Sequence, residues 1–330
     1  MLKEILETIL QGRSLNTDEC SIAMEEVLSG ENDVFTAAFL ALMRAKGETA
    51  EELFRIIRIV REKSRPLVLS PPFIDIVGTG GDDSGSVNIS TGAALVVASA
   101  GMRVAKHGNR AFSSAAGSAD VLEALGIAIE ISPEKAVETI EKLGIVFLFA
   151  PLYHPAFAKV ARVRKLLGFR TLFNLLGPLL HPADPPFALL GTASEEMMDR
   201  YADLLLLLGV KRAMVVHSSG MDELTPVGPC DIVEVREGKK VRVILDPADL
   251  GMKRCDREAL KGGDAGRNGE LLLEALAGGE GPIGDALDLN AAAALCTAEV
   301  VSTMKEGVER ARNARRGGKA IALVERWKTF

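Results

Sequence analysis

The sequence predicts an α/β protein with a helical N-terminal lobe and a larger lobe built on a central, mixed and mostly parallel sheet. Three observations support this fold class. About 65 residues at the start show only helical patterns, and short apolar strands then alternate with helices. Two later strands, over 232–235 and 241–245, are separated by a turn that is typical of a hairpin. Alternating strands and helices indicate a sheet covered on both faces.

The N-terminal lobe is expected to contain several consecutive helices. Apolar residues recur at helical spacing from Leu2 to Leu10, and Gly12 ends that pattern. Further helices are predicted over about 17–28, 36–45 and 49–63. Thr49 and Glu52 have the spacing of a capping box at the start of the last of these helices.

The boundary between the two lobes is predicted within 64–72, where prolines cluster. We therefore expect a helical lobe over 1–66 and an α/β lobe over 67–330. Residues 155–180 again have a helical pattern, and we expect them to join the helical lobe.

The α/β lobe is predicted from short apolar runs that alternate with amphipathic segments. Strands are expected over 73–77, 102–105, 145–149, 187–190 and 213–216. Helices are expected over 90–99, 120–125, 195–208 and 290–304.

The composition excludes several classes of function. The chain has 330 residues, of which 48% are hydrophobic and 25% charged, and its formal net charge is −6. A negative chain without a long basic run argues against a nucleic-acid partner. The longest apolar stretches, such as 93–100, are too short to span a bilayer. Four scattered cysteines without CxxC spacing fit a reducing compartment, so we expect a cytoplasmic protein without a membrane partner.

A glycine-rich loop follows the first predicted strand, where residues 75–91 read DIVGTGGDDSGSVNIST. Glycines let backbone N–H groups approach a phosphate closely, and the following helix N-terminus adds partial positive charge. A dinucleotide fingerprint requires glycine where Asp83 stands, and a P-loop requires lysine where Ser86 stands, so both motifs are absent. The loop predicts an anion site, with a tight turn followed by a helix cap as the alternative.

A basic segment, KHGNR at 106–110, follows the next predicted strand. Lys106 and Arg110 are suited to phosphate oxygens, and Ser113 and Ser114 to further hydrogen bonds. A solvated turn would explain the two basic residues alone. Because neighbouring parallel strands end at the same edge of a sheet, we expect this segment beside the glycine loop.

Two further groups of residues are candidates for binding. Asp222 and Glu223 are adjacent carboxylates in a glycine-flanked loop, which suits Mg²⁺ together with water and phosphate oxygens. Arg164 lies near His154 and aromatic residues, where a guanidinium can bind a planar aromatic carboxylate through two hydrogen bonds. An acidic pair on the surface and an ordinary helical arginine are the alternatives. The sequence contains no arrangement for covalent or zinc catalysis, so we assign no catalytic residue.

These motifs together resemble the anthranilate phosphoribosyltransferase family. The matching stretches occur in order over nearly the whole chain: GTGGD (78–82), NIST (88–91), KHGNR (106–110), GSAD (117–120), LYHPA (152–156), VRKLLGFRTLFNLLGPL (163–179), MDEL (221–224) and GGDA (262–265). GTGGD, NIST and KHGNR are specific in combination, whereas GGDA alone is not.

The resemblance implies the fold shared by nucleoside phosphorylases and these phosphoribosyltransferases, usually as a homodimer formed through the helical lobes. It implies phosphoribosyl pyrophosphate and anthranilate as substrates, with Mg²⁺ held by Ser90, Asp222 and Glu223. Asn109 and Arg164 would bind anthranilate, with His107 and His154 lining its approach. The candidate substrate-binding residues are Gly78, Gly81, Asp82, Ser86, Asn88, Ile89, Ser90, Thr91, Lys106, His107, Gly108, Asn109, Arg110, Ser113, Ser114, Ser118, His154 and Arg164.

The chain departs from the family pattern at a few positions. Ser86 and Val87 replace a common Thr-Phe pair but keep a hydroxyl and an apolar side chain. Ala115 stands where many members carry a basic residue, which puts one phosphate contact in doubt, and residues 180–182 read Leu-His-Pro where Thr-Asn-Pro is usual. Two rival functions stay open: a pyrimidine nucleoside phosphorylase, which uses free phosphate without Mg²⁺, and a non-catalytic nucleic-acid-binding relative of the same fold.

Overall fold

A computed structural model describes residues 1–111 and 115–330, which form two compact units. One unit contains residues 1–67 and 150–182, and we call it the helical domain. The other contains residues 68–149 and 183–330, and we call it the α/β domain. Within these described ranges, no helix has both the length and the apolar character needed to cross a membrane.

Strands alternate with helices over residues 74–218, and α-helices precede and follow the strands at the two ends of the chain. In order they are α1 (Leu2–Leu10), α2 (Thr17–Ser29), α3 (Asp33–Lys46), α4 (Ala50–Glu62), β1 (Ile74–Gly78), α5 (Ile89–Ser99), β2 (Val104–Gly108), α6 (Ser118–Ala124), α7 (Pro133–Leu143), β3 (Ile145–Phe149), α8 (Ala150–Tyr153), α9 (Phe157–Leu167), α10 (Leu172–Leu176), β4 (Phe187–Gly191), α11 (Met198–Leu207), β5 (Arg212–Ser218), β6 (Cys230–Arg236), β7 (Lys239–Leu245), α12 (Ala265–Leu276), α13 (Pro282–Thr297), α14 (Met304–Arg316) and α15 (Lys319–Lys328).

The helical domain is organised around a buried carboxylate at the start of α4. The predicted capping box is confirmed: Thr49 accepts a hydrogen bond from the backbone of Glu52, and Glu52 accepts one from the backbone of Thr49. Glu52 is fully buried, and its carboxylate also accepts from Leu15 N at 2.8 Å and forms an ion pair with Lys46 at 2.6 Å. A single side chain therefore caps α4 and fixes two neighbouring segments.

The α/β domain contains one seven-stranded sheet in the order β3-β2-β1-β4-β5-β6-β7. The first five of these strands pair in parallel, and β6 and β7 add an antiparallel hairpin. The predicted mixed, mostly parallel sheet is confirmed. Helix α5 packs closely against α12 and α13 because Gly92 has no side chain. A Cβ on Gly92 would lie 2.6 Å from Leu287 of α13 and 2.8 Å from Leu272 of α12.

One predicted element is wrong. The expected helix over 290–304 is the end of one helix and a following loop, since α13 stops at Thr297 and α14 begins at Met304. Glu299 has a left-handed φ of 60°, which interrupts helical hydrogen bonding. Thr303 and Glu306 then form a capping box that starts a new helix.

Candidate active site

The glycine-rich loop lies at the point where the strand order of the sheet reverses. The chain runs outward from β1 through β2 to β3, and it then returns to place β4 on the other side of β1. In open α/β sheets, ligands bind at the carboxyl ends of strands at such a switch point. Residues 79–88 connect β1 to α5 here, and Gly80 and Gly81 adopt left-handed φ values of 63° and 67° that favour glycine.

Side chains replace the backbone ladder between β1 and β2 near this loop. The two strands pair in register at Ile74 and Val104, whereas each other parallel pair has five matched positions. Further along, the Asp75 carboxylate accepts a hydrogen bond from His107 N at 3.1 Å, and the Lys106 ammonium donates to Ile76 O. The buried charges of Asp75 and Lys106 therefore occupy the gap between the strands.

These two charges influence each other. Burial raises the pKa of Asp75 to about 7, and the nearby Lys106 opposes that rise. Burial lowers the pKa of Lys106, while Asp75, Glu223 and Asp222 raise it. The Lys106 ammonium thus interacts electrostatically with three carboxylates at the end of the sheet.

The predicted acidic pair does lie beside the glycine loop. Asp222 Oδ2 accepts a hydrogen bond from Gly80 N at 2.7 Å, and Glu223 Oε1 accepts from Ser90 N at 3.1 Å. Ser90 Oγ in turn accepts from Lys106 Nζ at 3.3 Å. Residues more than 130 positions apart in sequence are thereby brought to one edge of the sheet.

The acidic pair is suited to a divalent cation. Burial and mutual repulsion raise the pKa of Glu223 well above its usual range, and burial with the charge of Asp82 raises the pKa of Asp222 to about 6. A bound cation would offset both effects. The described residues contain no group of three His, Cys, Asp or Glu side chains able to hold a metal. Two carboxylates and the Ser90 hydroxyl match Mg²⁺, which keeps several water or phosphate ligands.

Two glycines at strand ends make room for the acidic loop. A Cβ on Gly78 would lie 2.3 Å from Asp222 Oδ2, and a Cβ on Gly191 would lie 1.6 Å from Asp222 O. These residues end the neighbouring strands β1 and β4, which pair at this position. The backbone of Asp222 therefore rests directly on the end of the sheet.

Two buried polar side chains hold the acidic loop in place. The carboxamide of Asn290 accepts from Leu224 N at 3.1 Å and donates to Leu224 O at 2.7 Å. His217 Nδ1 contacts Thr192 O at 2.8 Å, and its Nε2 accepts from Gly220 N at 3.3 Å. With Nε2 as the acceptor of this hydrogen bond, Nδ1 is the ring nitrogen that donates to Thr192 O.

Sequence reasoning did not identify Gly191 or Asn290 as part of this site, and it assigned no separate role to Asp75, the first residue of the glycine-rich stretch. Asn290 interrupts an otherwise apolar helix, and such an isolated polar residue is a signal that the sequence does contain. Gly191 ends a strand, which by itself predicts only a turn.

The structure distinguishes the candidate residues within the glycine loop. Ile89 is fully buried in the core, so only its backbone is available to a ligand. Ser86 Oγ accepts a hydrogen bond from Ser84 Oγ at 3.0 Å. Asp82 Oδ2 and Thr91 Oγ1 are buried without a hydrogen-bond partner among the described residues. Unsatisfied polar atoms of this kind are expected where a polar ligand binds.

The basic segment is also shaped by close contacts. A Cβ on Gly108 would lie 2.4 Å from Ser118 Oγ, which explains the absence of a side chain. Asp120 Oδ2 accepts from Ala111 N and from Gly117 N, each at 2.8 Å, and so fixes both ends of the loop. Ser113 and Ser114 lie outside the described residues, and their roles stay predictions.

Arg110 has acidic partners in the structure. Its guanidinium forms an ion pair and hydrogen bonds with Glu123, one of them at 2.9 Å, and lies 5.3 Å from the ring centroid of Phe149. These hydrogen bonds use two of the five N–H donors of the guanidinium, and its predicted contact with phosphate stays a prediction.

The helical domain places His154 and Arg164 around a small aromatic cluster. His154 stacks on Phe157 with ring centroids 5.4 Å apart, and Phe157 contacts Phe173 edge-on at 5.1 Å. The Arg164 guanidinium lies 5.4 Å from the centroid of Phe173. Burial lowers the pKa of His154, whose Nε2 contacts Leu180 O at 2.7 Å. A neutral imidazole, an aromatic face and a guanidinium suit an aromatic carboxylate.

Comparison with known proteins defines the class of enzyme. The model of the glycosyl transferase family, helical bundle domain, matches residues 3–64, and that of the glycosyl transferase family, a/b domain, matches residues 70–321. The chain is therefore a glycosyl transferase of the class that combines these two domains.

More similar relatives identify the family within that class. Anthranilate phosphoribosyltransferase of Chlamydia caviae is 41% identical over 100% of this chain and 96% of its own length. The crystal structure of anthranilate phosphoribosyltransferase from Thermus thermophilus is 44% identical with a TM-score of 0.92, covering 98% of each chain. The enzyme from Saccharomyces cerevisiae, in complex with PRPP and Mg, is 28% identical with a TM-score of 0.89, covering 99% of this chain and 97% of its own. This chain belongs to the anthranilate phosphoribosyltransferase family.

Proposed function

We propose that this enzyme transfers the phosphoribosyl group of phosphoribosyl pyrophosphate (PRPP) to the amine of anthranilate, a step of tryptophan biosynthesis. The observation that carries the proposal is the convergence of the glycine-rich loop, Lys106 and the pair Asp222–Glu223 at one edge of the sheet. Such a site combines an anion-binding backbone, one cation and two metal-binding carboxylates. The family supports the same substrates, because the Saccharomyces cerevisiae relative is known in complex with PRPP and Mg and with 4-fluoroanthranilate.

The chemistry requires positioning and charge stabilisation and no covalent intermediate. The anthranilate nitrogen forms a bond to C1 of the ribose while the C1–oxygen bond to pyrophosphate breaks, and pyrophosphate leaves with the bonding electrons. The nitrogen then loses a proton to solvent. Backbone N–H groups of residues 78–91 and the N-terminus of α5 would hold the pyrophosphate. The buried Lys106 ammonium would offset its negative charge.

Mg²⁺ is the proposed cofactor, held by Asp222 and Glu223 with the Ser90 hydroxyl. When bound, it would stabilise negative charge on the departing pyrophosphate. The two carboxylates are already oriented by hydrogen bonds from Gly80 N and Ser90 N, so the proposed metal site would be arranged before the metal binds.

A turnover assay tests the proposed function directly. We expect anthranilate fluorescence to disappear when phosphoribosyl pyrophosphate and Mg²⁺ are both present. Treatment with a chelator should stop the reaction, and added Mg²⁺ should restore it. Phosphorolysis of a pyrimidine nucleoside that persists in the chelator would instead support the phosphorylase alternative.

Replacement of Glu223 with glutamine tests the acidic pair. Glutamine keeps an oxygen that accepts from Ser90 N but removes the charge, so we expect the Mg²⁺ concentration for half-maximal activity to rise more than about tenfold. Glu325→Gln is the matched control, because Glu325 is exposed and pairs with Lys328 on the same helix. An unchanged Mg²⁺ requirement in Glu223→Gln would contradict this metal site.

Replacement of Arg164 with alanine tests the acceptor side. Losing a charged hydrogen-bond donor should raise KM for anthranilate about tenfold or more, with little change in KM for phosphoribosyl pyrophosphate. Arg162→Ala is the control on the same helix, since Arg162 is exposed and pairs with Asp33 at 3.7 Å. Equal increases in both KM values would show that Arg164 is not specific to the acceptor. Asn109, His107 and His154 are proposed to contribute to the same acceptor selectivity.

The homodimer is proposed on the resemblance and on exposed apolar side chains of the helical domain. Leu10, Val34 and Leu166 have exposed fractions of 61%, 81% and 75%. Pairing of two helical domains would remove apolar side chains of this kind from water. Light scattering coupled to size-exclusion chromatography measures the mass, and a value near 35.2 kDa would contradict a dimer.

The cytoplasm is the proposed location. All four cysteines have free thiols, and burial raises the pKa of Cys20 to about 12 and that of Cys296 to about 11. Cysteines that stay as free, protonated thiols are typical of proteins in a reducing compartment.

A further inference from the structure

Three hydrogen bonds connect three segments of the α/β domain that are far apart in sequence. Gly263 N donates to Asn268 Oδ1 at 2.7 Å, and Asn268 Nδ2 donates to Asn88 Oδ1 at 2.8 Å. Asn88 Nδ2 then donates to Ala116 O at 3.1 Å. We call this series the amide relay; it joins α12, the end of the glycine-rich loop and the loop that follows the basic segment.

The direction of the amide relay is set by the backbone groups at its two ends. Gly263 N can only donate, so it must face the side-chain oxygen of Asn268. The side-chain nitrogen of Asn268 therefore faces Asn88. The carbonyl oxygen of Ala116 can only accept, so it must face the side-chain nitrogen of Asn88. The side-chain oxygen of Asn88 therefore faces Asn268. Both carboxamides are therefore fixed in one orientation, and a carboxylate at either position would break the series.

The relay lies next to a second contact between the same segments. Val87 N donates to Leu260 O at 2.9 Å, and Gly262 N donates to Gly85 O at 2.8 Å. A Cβ on Gly262 would lie 2.2 Å from Asn268 Oδ1, so glycine is needed for Asn268 to approach. The GGDA motif thus packs against the glycine-rich loop. Asn268 is buried in this contact, with an exposed fraction of 2%.

We infer that Asn268 is a positioning residue for the pyrophosphate-binding loops, and this inference rests on the proposed function. It acts through Asn88, whose carboxamide links the glycine-rich loop to the loop ending at Ala116. The backbone of residues 78–91 binds through its N–H groups, so its geometry must be fixed before the donor arrives. Asn268 supplies part of that fixed geometry from a helix outside the binding loops.

The test is donor affinity, measured by isothermal titration calorimetry with phosphoribosyl pyrophosphate and Mg²⁺. Asn268→Ala removes both of its hydrogen bonds, and we expect Kd to rise at least about tenfold. Asn268→Asp has the same shape and keeps the acceptor for Gly263 N, but it cannot donate to Asn88. We expect a similar rise in Kd for this variant, which retains the packing of the site.

Two comparisons separate positioning from general destabilisation. Leu276→Ala shortens a buried side chain at the end of the same helix, and it should lower the unfolding temperature without changing Kd. In an Asn88→Ala background, Asn268→Ala should have little further effect on Kd, because the relay is already broken. Multiplicative effects of the two substitutions, or a wild-type Kd in Asn268→Asp, would overturn the inference.

The same titrations distinguish this inference from the proposed function. Wild-type protein that binds the donor but does not consume anthranilate would refute the proposed reaction, and the Kd values of the variants would still decide the role of Asn268. Wild-type protein that does not bind the donor would overturn both.

Discussion

Alanine in place of Gly191 is expected to reduce turnover by about a hundredfold or more. The new Cβ would lie 1.6 Å from the carbonyl oxygen of Asp222 and 2.6 Å from its carbonyl carbon. Both neighbours are backbone atoms, so the strain cannot be relieved by rotating a side chain. The loop that carries Asp222 and Glu223 must shift by about an ångström or more, and displacements of that size can cost about a hundredfold in rate.

The expected kinetic pattern is specific to this displacement. The Mg²⁺ requirement and KM for phosphoribosyl pyrophosphate should rise, while KM for anthranilate should change little. Gly177→Ala is the matched control, because a Cβ there has no atom within 4 Å and its φ of −43° suits alanine. Steady-state kinetics and thermal unfolding of both variants check the result. Wild-type kinetics in Gly191→Ala would show that the acidic loop is not held against the sheet.

Replacing Arg315 with methionine is expected to lower the free energy of unfolding by about 3–5 kcal/mol. Arg315 is 1% exposed and forms two hydrogen bonds with Asp288, at 3.0 and 2.9 Å. It also donates to Ala275 O at 2.8 Å and to Gly279 O at 2.6 Å. Its loss leaves the fully buried Asp288 carboxylate with the longer contact to Arg312 Nε, at 3.5 Å. A buried charge without an adequate partner is the main cost.

The double variant Arg315→Met, Asp288→Leu tests that explanation. Removing the second charge should recover part of the lost stability, because no buried carboxylate is then left without its partner. Arg316→Ala is the control, since Arg316 is half exposed and pairs with the exposed Glu280. Urea denaturation measures all three variants, and a loss in Arg315→Met no larger than that in Arg316→Ala would contradict a structural role for the ion pair.

The predicted parts of the site are those encoded in continuous stretches of sequence. The glycine-rich loop and the acidic pair each follow a strand, and parallel strands end at a common edge. The KHGNR segment is expected after a strand over 102–105, but its first three residues form the end of β2 (Val104–Gly108) at the same edge. The Thr49–Glu52 capping box is predictable for a similar reason, because both of its residues lie within one turn of helix. The break after Thr297 is not, because apolar and small residues continue past it and hide the end of α13.

Contacts across long sequence separations could not be predicted. Arg110 lies in a basic segment, which favours a phosphate ligand, yet α6 brings Glu123 to it. Asn88 is expected to contact the substrate, and in the structure its carboxamide is held by Asn268 and Ala116. Local periodicity contains no information about which distant side chain will meet a given polar group.

The α/β fold, the anion loop and the candidate residues for a phosphate, Mg²⁺ and an aromatic acid were all predicted from the amino-acid sequence. They depend on periodicity, turn chemistry and motif spacing, which act over a few residues at a time. How the loops are held depends on tertiary packing: Asp222 rests on Gly191, Asp75 and Lys106 fill the gap between β1 and β2, and the amide relay fixes Asn88. A buried polar group is unfavourable unless it has a hydrogen-bond partner. The packing of strands and helices determines which partner lies within hydrogen-bond distance.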